Sequence, residues 1–231
     1  MHLGRRFVFV AALGVMLLPA RAAFAADDLQ AVLHRLDVAA EKFHTTSADF
    51  EFDSVESYPV PDKDVQKGTM YFERKGQAFQ VGIHIEQEND RPVPKVITFS
   101  DGVFKLYEKL LNQVTVSKKA GKYESYLALG FGASGKDLEE KWNIKDLGPE
   151  TLDGVKTEKL ELLAKDPEVL KLFPKVTIWM DTERGVNLKQ VFDEGQGQYR
   201  VCVYFNFKMN QSLPRDAFSF KTDKKTTFVQ R

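Results

Sequence analysis

Tyr199-Arg-Val-Cys-Val-Tyr-Phe-Asn-Phe-Lys-Met209 alternates with period two. Tyr199, Val201, Val203, Phe205, Phe207 and Met209 fall on one side, and Arg200, Cys202, Tyr204, Asn206 and Lys208 on the other. Successive side chains of a strand point to opposite faces, so the stretch predicts a strand with one wholly apolar face. At about 3.4 Å per residue it runs for roughly 35 Å, well past the usual five or six residues. A strand of that length requires a large, curved sheet beside it. Its apolar face also requires a cover, which is either protein or, in part, a bound guest.

The flanking sequence supplies the sheet. Upstream, residues 48–58 alternate Phe50 and Phe52 with Asp49, Glu51 and Asp53, and Pro59 and Pro61 end the run. Residues 68–74 and 78–87 read as a hairpin about Lys75-Gly76-Gln77. Pro92 and Pro94 precede a strand at 95–99, and Ser100-Asp101-Gly102 turns into 103–108, with 112–117 following. Later strands are expected at 143–147, 155–163, 175–181 and 187–194, separated by Asp153-Gly154, Gly185 and Gly195-Gln-Gly197. Phe218-Ser-Phe220 follows a break at Pro214. About ten strands with short connections predict an antiparallel meander curling towards a barrel. Helices are few. Leu29, Val32, Leu33, Leu36, Ala40 and Phe43 mark one face of an amphipathic helix over 27–44, expected to pack on the sheet. Residues 123–130 and 137–142 lean helical, as does 166–173 with Pro167 at its first position.

The chain opens with a processing signal. Arg5-Arg6, an apolar run over 7–18, Pro19 and Ala23-Phe24-Ala25 make a charged region, a hydrophobic region and a small-residue cleavage site. Residues 1–25 are therefore expected to be removed, leaving 26–231 as a single domain in the periplasm. The cut takes away Arg5, Arg6 and Arg21 and no acid, leaving 30 basic against 33 acidic side chains. No nucleic-acid footprint is present in that balance. The apolar run is shorter than the roughly 20 residues that span a bilayer, so no transmembrane anchor is expected. Cys202 is the only cysteine, which rules out an intramolecular disulfide, and no cysteine stands at the cleavage site to be lipidated. Eighteen phenylalanines against two tryptophans favour cores and greasy cavities over polar recognition.

Catalytic and cofactor patterns are missing. His34, His44 and His84 are scattered, with no metal-ligand spacing, and no metal or cofactor is expected. Gly130-Phe-Gly132-Ala-Ser-Gly135-Lys136 matches G-x-G-x-x-G literally, but it lacks a βαβ context, and Asp137 stands where a phosphate loop has Ser or Thr. It reads as a flexible loop. The acidic groups at Asp49/Glu51/Asp53, Glu86/Glu88 and Glu139/Glu140 read as solvated faces. No enzyme activity is expected.

Ile97-Thr-Phe-Ser-Asp-Gly102, Phe104-Lys-Leu-Tyr107 and Leu111-Asn-Gln-Val114 resemble the "sDG…w.Y…l.Qv" core of LolA/LolB-type lipoprotein carriers. The N-terminal helix, the long strand with Asn206 and Asn210, and the ending over 213–220 fall in the matching order. The resemblance implies an α+β, mainly β fold: an open antiparallel half-barrel of about ten to eleven strands with a helical lid over a hydrophobic cavity. It implies lipidated proteins as cargo, held by their acyl chains. They would be received from an inner-membrane ABC-type release complex and passed by a monomeric carrier to an outer-membrane acceptor. The other reading of the same fold is a lipid- or lipoprotein-sensing module that does not shuttle. Cavity candidates are Phe50 and Phe52, then Met70 and Phe72, then Phe79, Val81, Ile83 and Ile85, then Phe99. Ile178 and Met180 join them, with Tyr199, Val201, Val203, Phe205 and Phe207 of the long strand. Arg74 matches the family's lid-contacting arginine, although Lys75 replaces the proline that usually follows, with one extra residue before Phe79. Leu33, Leu36 and Phe131 are the other lid candidates.

Overall fold

The computed structural model describes residues 29–75, 78–118 and 129–231. The expected signal peptide, the hairpin tip at 76–77 and most of the helical stretch at 123–130 lie outside them. Helix α1 (Leu29–Glu41) leads into β1 (Thr45–Glu56), β2 (Asp62–Lys75), β3 (Ala78–Glu88), β4 (Arg91–Ser100), β5 (Val103–Glu108) and β6 (Gln113–Ser117). Helix α2 (Gly135–Lys141) precedes β7 (Trp142–Leu152) and β8 (Val155–Ala164), and α3 (Pro167–Leu172) leads to β9 (Lys175–Asp181). β10 (Val186–Gly195), β11 (Gln198–Met209) and β12 (Thr227–Gln230) complete the described elements.

The twelve described strands join one sheet in the order β12-β6-β5-β4-β3-β2-β1-β11-β10-β9-β8-β7. Every pairing among them is antiparallel except that of β12, which lies parallel to β6. The meander curls but does not close, and α1 and α2 sit over it. This is the open half-barrel with a helical cover that the sequence resemblance implies. Three strands extend well past their sequence signals, β7 running on to Leu152 where its signal ends at 147. β2 begins at Asp62 because Glu56 pairs with it across the turn, so pairing with β1 orders a polar run that has no alternation of its own. β4 takes in Pro92 and Pro94 where the ladder with β3 shifts between Ile85 and Gln87, a bulge that tolerates a missing N–H donor.

The long strand sits centrally, between β1 and β10, and it is broken in phase. Thr46 and Ser47 pair with Met209 and Lys208, whereas Asp49 pairs with Phe205, so β11 carries an extra residue here. Asn206 takes up the bulge at φ 54° and donates from Nδ2 to Asp49 Oδ2 at 2.8 Å. Asparagine tolerates that left-handed backbone better than most side chains. Before the bulge Cys202 and Tyr204 point to the concave side; beyond it Phe207 and Met209 do.

Two buried clusters line the concave side. Beneath α1, Val32, Leu33 and Leu36 pack with Leu160, Leu162, Val176 and Ile178. The second cluster is aromatic, built on Phe43, Phe50, Phe72, Phe99 and Phe131. The segment 129–134 is packed, in place of the flexible loop its glycine content suggests. Asn187 N–H donates to Gly130 O at 2.7 Å, Gly132 N–H donates to Gly185 O at 2.9 Å, and Phe131 bridges Val186 and is buried. Glycine is required at 132 because φ is 63° and a Cβ would strike the Phe43 ring. Ser134 then caps α2, accepting from Asp137 N–H while the Asp137 carboxylate accepts from Ser134 N–H. On the convex side, residues 211–226 strap the sheet. Gly82 lets Ala217 lie against β3, and Phe220 stacks on Tyr107 with centroids 5.0 Å apart.

Candidate ligand-binding site

A cavity of about 320 Å³ lies on the concave side, across β4, β3, β2, β1, β11 and β10. Phe50, Phe52, Met70, Ile83 and Ile85 of the sequence-derived candidates line it. Phe72, Phe79, Val81, Phe99 and Phe207 belong to the adjoining aromatic cluster, and Ile178 and Met180 to the core beneath α1. Stacked or tilted ring pairs run from Phe131 through Phe72 (6.2 Å) and Phe79 (5.3 Å) to Phe99 (5.5 Å).

The apolar face of the long strand is not the cavity wall before the bulge. Phe52 pairs with Cys202 and Phe50 with Tyr204, and directly opposed residues share a face. Cys202, Tyr204 and Arg200 therefore line the cavity. Val201 and Val203 pair with Asp53 and Glu51 on the convex side, where Tyr199 also lies, and Phe205 is 45% exposed. The alternation is as expected, whereas Tyr199, Val201, Val203 and Phe205 lie on the convex side and only Phe207 of the expected wall faces inward. Cysteine is a small apolar residue despite its place in a polar series. Tyr204 offers a ring once its hydroxyl is satisfied, and the convex valines pack beside charged neighbours. Nearby, Trp179 lies between the ammonium groups of Lys159 (4.8 Å) and Lys189 (4.7 Å).

Other wall residues come from positions the sequence left unmarked: Gln66, Ile97, Phe173, Gln190 and Phe192. Phe192 and Ile97 lie within expected strands and were open to selection. Phe173, just beyond α3, had no such signal; it reaches Phe192 with centroids 5.1 Å apart.

The polar atoms of the wall are occupied. Gln190 Nε2 donates to the Tyr204 hydroxyl at 2.8 Å, and Asn187 Nδ2 donates to Gln190 Oε1 at 3.0 Å. Asn187 Oδ1 accepts in turn from the backbone N–H groups of Trp179 and Lys189. Burial raises the Tyr204 phenol well above its usual range and pushes the Cys202 thiol up to about 12. Both stay neutral at ordinary pH. Arg200 brings charge to one end, where its Nε donates to Glu194 Oε1 at 2.7 Å. Gln66 Nε2 donates to Glu88 Oε1 at 3.3 Å, and the rest presents carbon. Because the thiolate is the reactive form and Cys202 is buried, Cys202 should resist iodoacetamide at pH 8 in the native protein and alkylate fully in denaturant. Rapid native labelling, followed by mass spectrometry, would contradict that environment.

The lid candidates occupy the closing elements. Leu33 and Leu36 are buried between α1 and the sheet, and Phe131 meets the Tyr204 ring edge-on at 4.9 Å. Arg74 places a guanidinium nitrogen 3.9 Å from Asp137 Oδ2, within the capping box of α2. Arg35 ties α1 to the sheet, donating to Glu158 Oε1 at 3.3 Å and to Thr182 Oγ1 at 3.2 Å. Among the described residues, no helix is long and apolar enough to cross a membrane.

The sheet, its cover and the mostly carbon-lined hollow between them define an open half-barrel. No family model matches the chain. The uncharacterized protein MJ0687 of Methanocaldococcus jannaschii is 31% identical over 145 residues, 62% of this chain, and the match spans 39% of that protein's length. An uncharacterized conserved protein from Thermus thermophilus shares the fold at 13% identity, over 87% of this chain and 98% of the other, with a TM-score of 0.54. A chain of the Pseudomonas aeruginosa MucA/MucB complex does so at 12% identity, over 84% and 61%, with a TM-score of 0.51.

Proposed function

We propose that this protein is a periplasmic carrier, mature from residue 26 and monomeric, that holds acyl chains of lipidated proteins and delivers them towards the outer membrane. The observation that supports this most directly is the largely carbon-walled cavity on the concave side, with charge only at its Arg200 end. Each methylene buried there contributes about 0.8 kcal/mol, so a modest length of chain suffices for capture while release stays accessible. At about 320 Å³ the cavity stands at the low end for ligand pockets, so longer chains require the cover to shift. Arg74, Leu33, Leu36 and Phe131 are the contacts that such a shift would loosen. Loading from an ABC-type release complex and unloading to an acceptor are the partner steps this reading requires. No catalytic step is assigned, since Cys202 and Tyr204 remain protonated and the other wall groups carry no nucleophile.

Native mass spectrometry of the protein isolated from periplasm tests the proposal. A carrier retains acylated cargo or fatty acid, and a uniformly ligand-free protein from cells replete in lipoproteins would refute it. The second reading, a lipid- or lipoprotein-sensing module, draws on the shared fold with a chain from a solved two-protein complex. A sensor would stay bound to a single partner protein and fail to transfer acylated cargo between donor and acceptor membranes.

A further inference from the structure

Antiparallel strands place successive turns at alternate rims of the half-barrel, and the two rims differ in chemistry. One carries the β4–β5 turn at Asp101-Gly102, the β7–β8 turn at Asp153-Gly154 and the β9–β10 turn through Glu183 and Gly185. None of these described turns exposes a large apolar side chain. The other rim carries the β1–β2, β3–β4, β5–β6 and β10–β11 turns and the β8–β9 connection containing α3. Here Tyr58, Val60, Leu110 and Leu111 are 67–74% exposed, and Leu170 and Leu172 stand out from α3. Six large apolar side chains thus project from three separate segments of one rim. Gln66, Arg200 and Phe173 bound the cavity on that same side.

We propose that this rim docks on a lipid bilayer, with the β1–β2, β5–β6 and α3 tips entering the headgroup region. The proposal takes the acyl-chain reading of the cavity as its premise. Three features favour a bilayer over a protein partner. The apolar residues are small protrusions set among charged ones such as Asp62, Lys109 and Lys171, not a contiguous patch of the kind a specific protein interface buries. Such tips can enter a fluid interface while their charged neighbours remain in water. Four cations near the rim are matched within the protein: Lys63 to Asp53, Lys171 to Glu168, Lys175 to Asp193 and Arg200 to Glu194. With those four cations matched on the protein, apolar insertion supplies most of the attraction, and anionic lipid is not required. Docked this way, the cavity end faces the membrane, and an acyl chain passes between bilayer and protein with little exposure to water.

Vesicle flotation of the mature chain tests this, using phosphatidylcholine alone and phosphatidylcholine mixed with phosphatidylglycerol. The unmodified protein should float with both to similar extents. The pairs Tyr58→Ser/Val60→Ser, Leu110→Ser/Leu111→Ser and Leu170→Ser/Leu172→Ser should each reduce partitioning about tenfold. Uptake of a fluorescent fatty acid in solution should be unchanged in all three. Failure to float with either vesicle, flotation only with the anionic mixture, or wild-type flotation by all three pairs overturns the proposal. So does crosslinking of this rim to one protein in cells without vesicle binding. Normal flotation with no fatty-acid uptake would overturn the cavity reading instead, so the two failures are distinguishable.

Discussion

Ile83→Lys should abolish the uptake of a fluorescent fatty acid, while Phe205→Lys leaves it within about twofold of the unmodified protein. Ile83 stands on the cavity wall, in register with Met70 on one side and Ile97 on the other. An ammonium group placed among those side chains must be desolvated when an acyl chain enters, or must hold water in the space the chain would fill. Either costs roughly 3 kcal/mol or more, equivalent to at least about a 100-fold loss of affinity. Phe205 lies on the convex side opposite Asp49, where a lysine remains solvated beside a carboxylate. Fluorescence titration of the two folded variants decides the matter. Loss of uptake in Phe205→Lys with normal uptake in Ile83→Lys would place the ligand on the other side of the sheet.

Phe72→Ala should cost about 3–5 kcal/mol of stability, the range for removing a large side chain from a core that relaxes only partly. Phe72 is fully buried and joins three otherwise separate parts of the structure. Its ring meets Phe43 beyond the end of α1 at 5.5 Å, Phe79 on β3 at 5.3 Å and Phe131 before α2 at 6.2 Å. Alanine would leave a hole between the sheet and both covering segments, and none can advance without dragging its own backbone. Urea unfolding read by circular dichroism measures the loss. A change below about 1 kcal/mol would mean that the cover rests on the sheet through other contacts.

Strong alternation made the strands of the sheet readable in advance. β3 and β9 carry clean patterns bounded by turn residues, and β11 was long enough to require neighbours on both sides. Two parts had no local signal. β12 is four residues whose strand character comes from pairing with β6, and the first half of β2 is ordered by β1. The site was legible by composition and not by facing. Period two separates two faces without saying which is concave, and a single added residue at Asn206 exchanges them partway along β11. Phe50, Met70 and Ile83 were found because their strands bury one apolar face throughout. Cys202 and Tyr204 were missed because their types read as polar, although one behaves as a small hydrophobe and the other has its hydroxyl paired. Phe173 depends on where a connection crosses the hollow, which only the assembled sheet reveals.

Among the described residues the open sheet keeps two unpaired margins, and such margins invite other chains to add strands. A closed barrel removes the hazard, a solution denied to the carrier proposed above, whose hollow would be filled and emptied from the side. The two margins are blunted by different means. At one, β12 offers only four residues, too short a template for extended pairing. At the other, β7 breaks its ladder with β8 between Asp146 and Pro149, and Gly148 turns there at φ 89°. Pro149 has no donor to give a newcomer, and Lys145, Asp146 and Glu150 set alternating charge along the same margin. Resistance to self-association is thus written into the two strands farthest from the cavity, and it is what allows the hollow to remain unclosed.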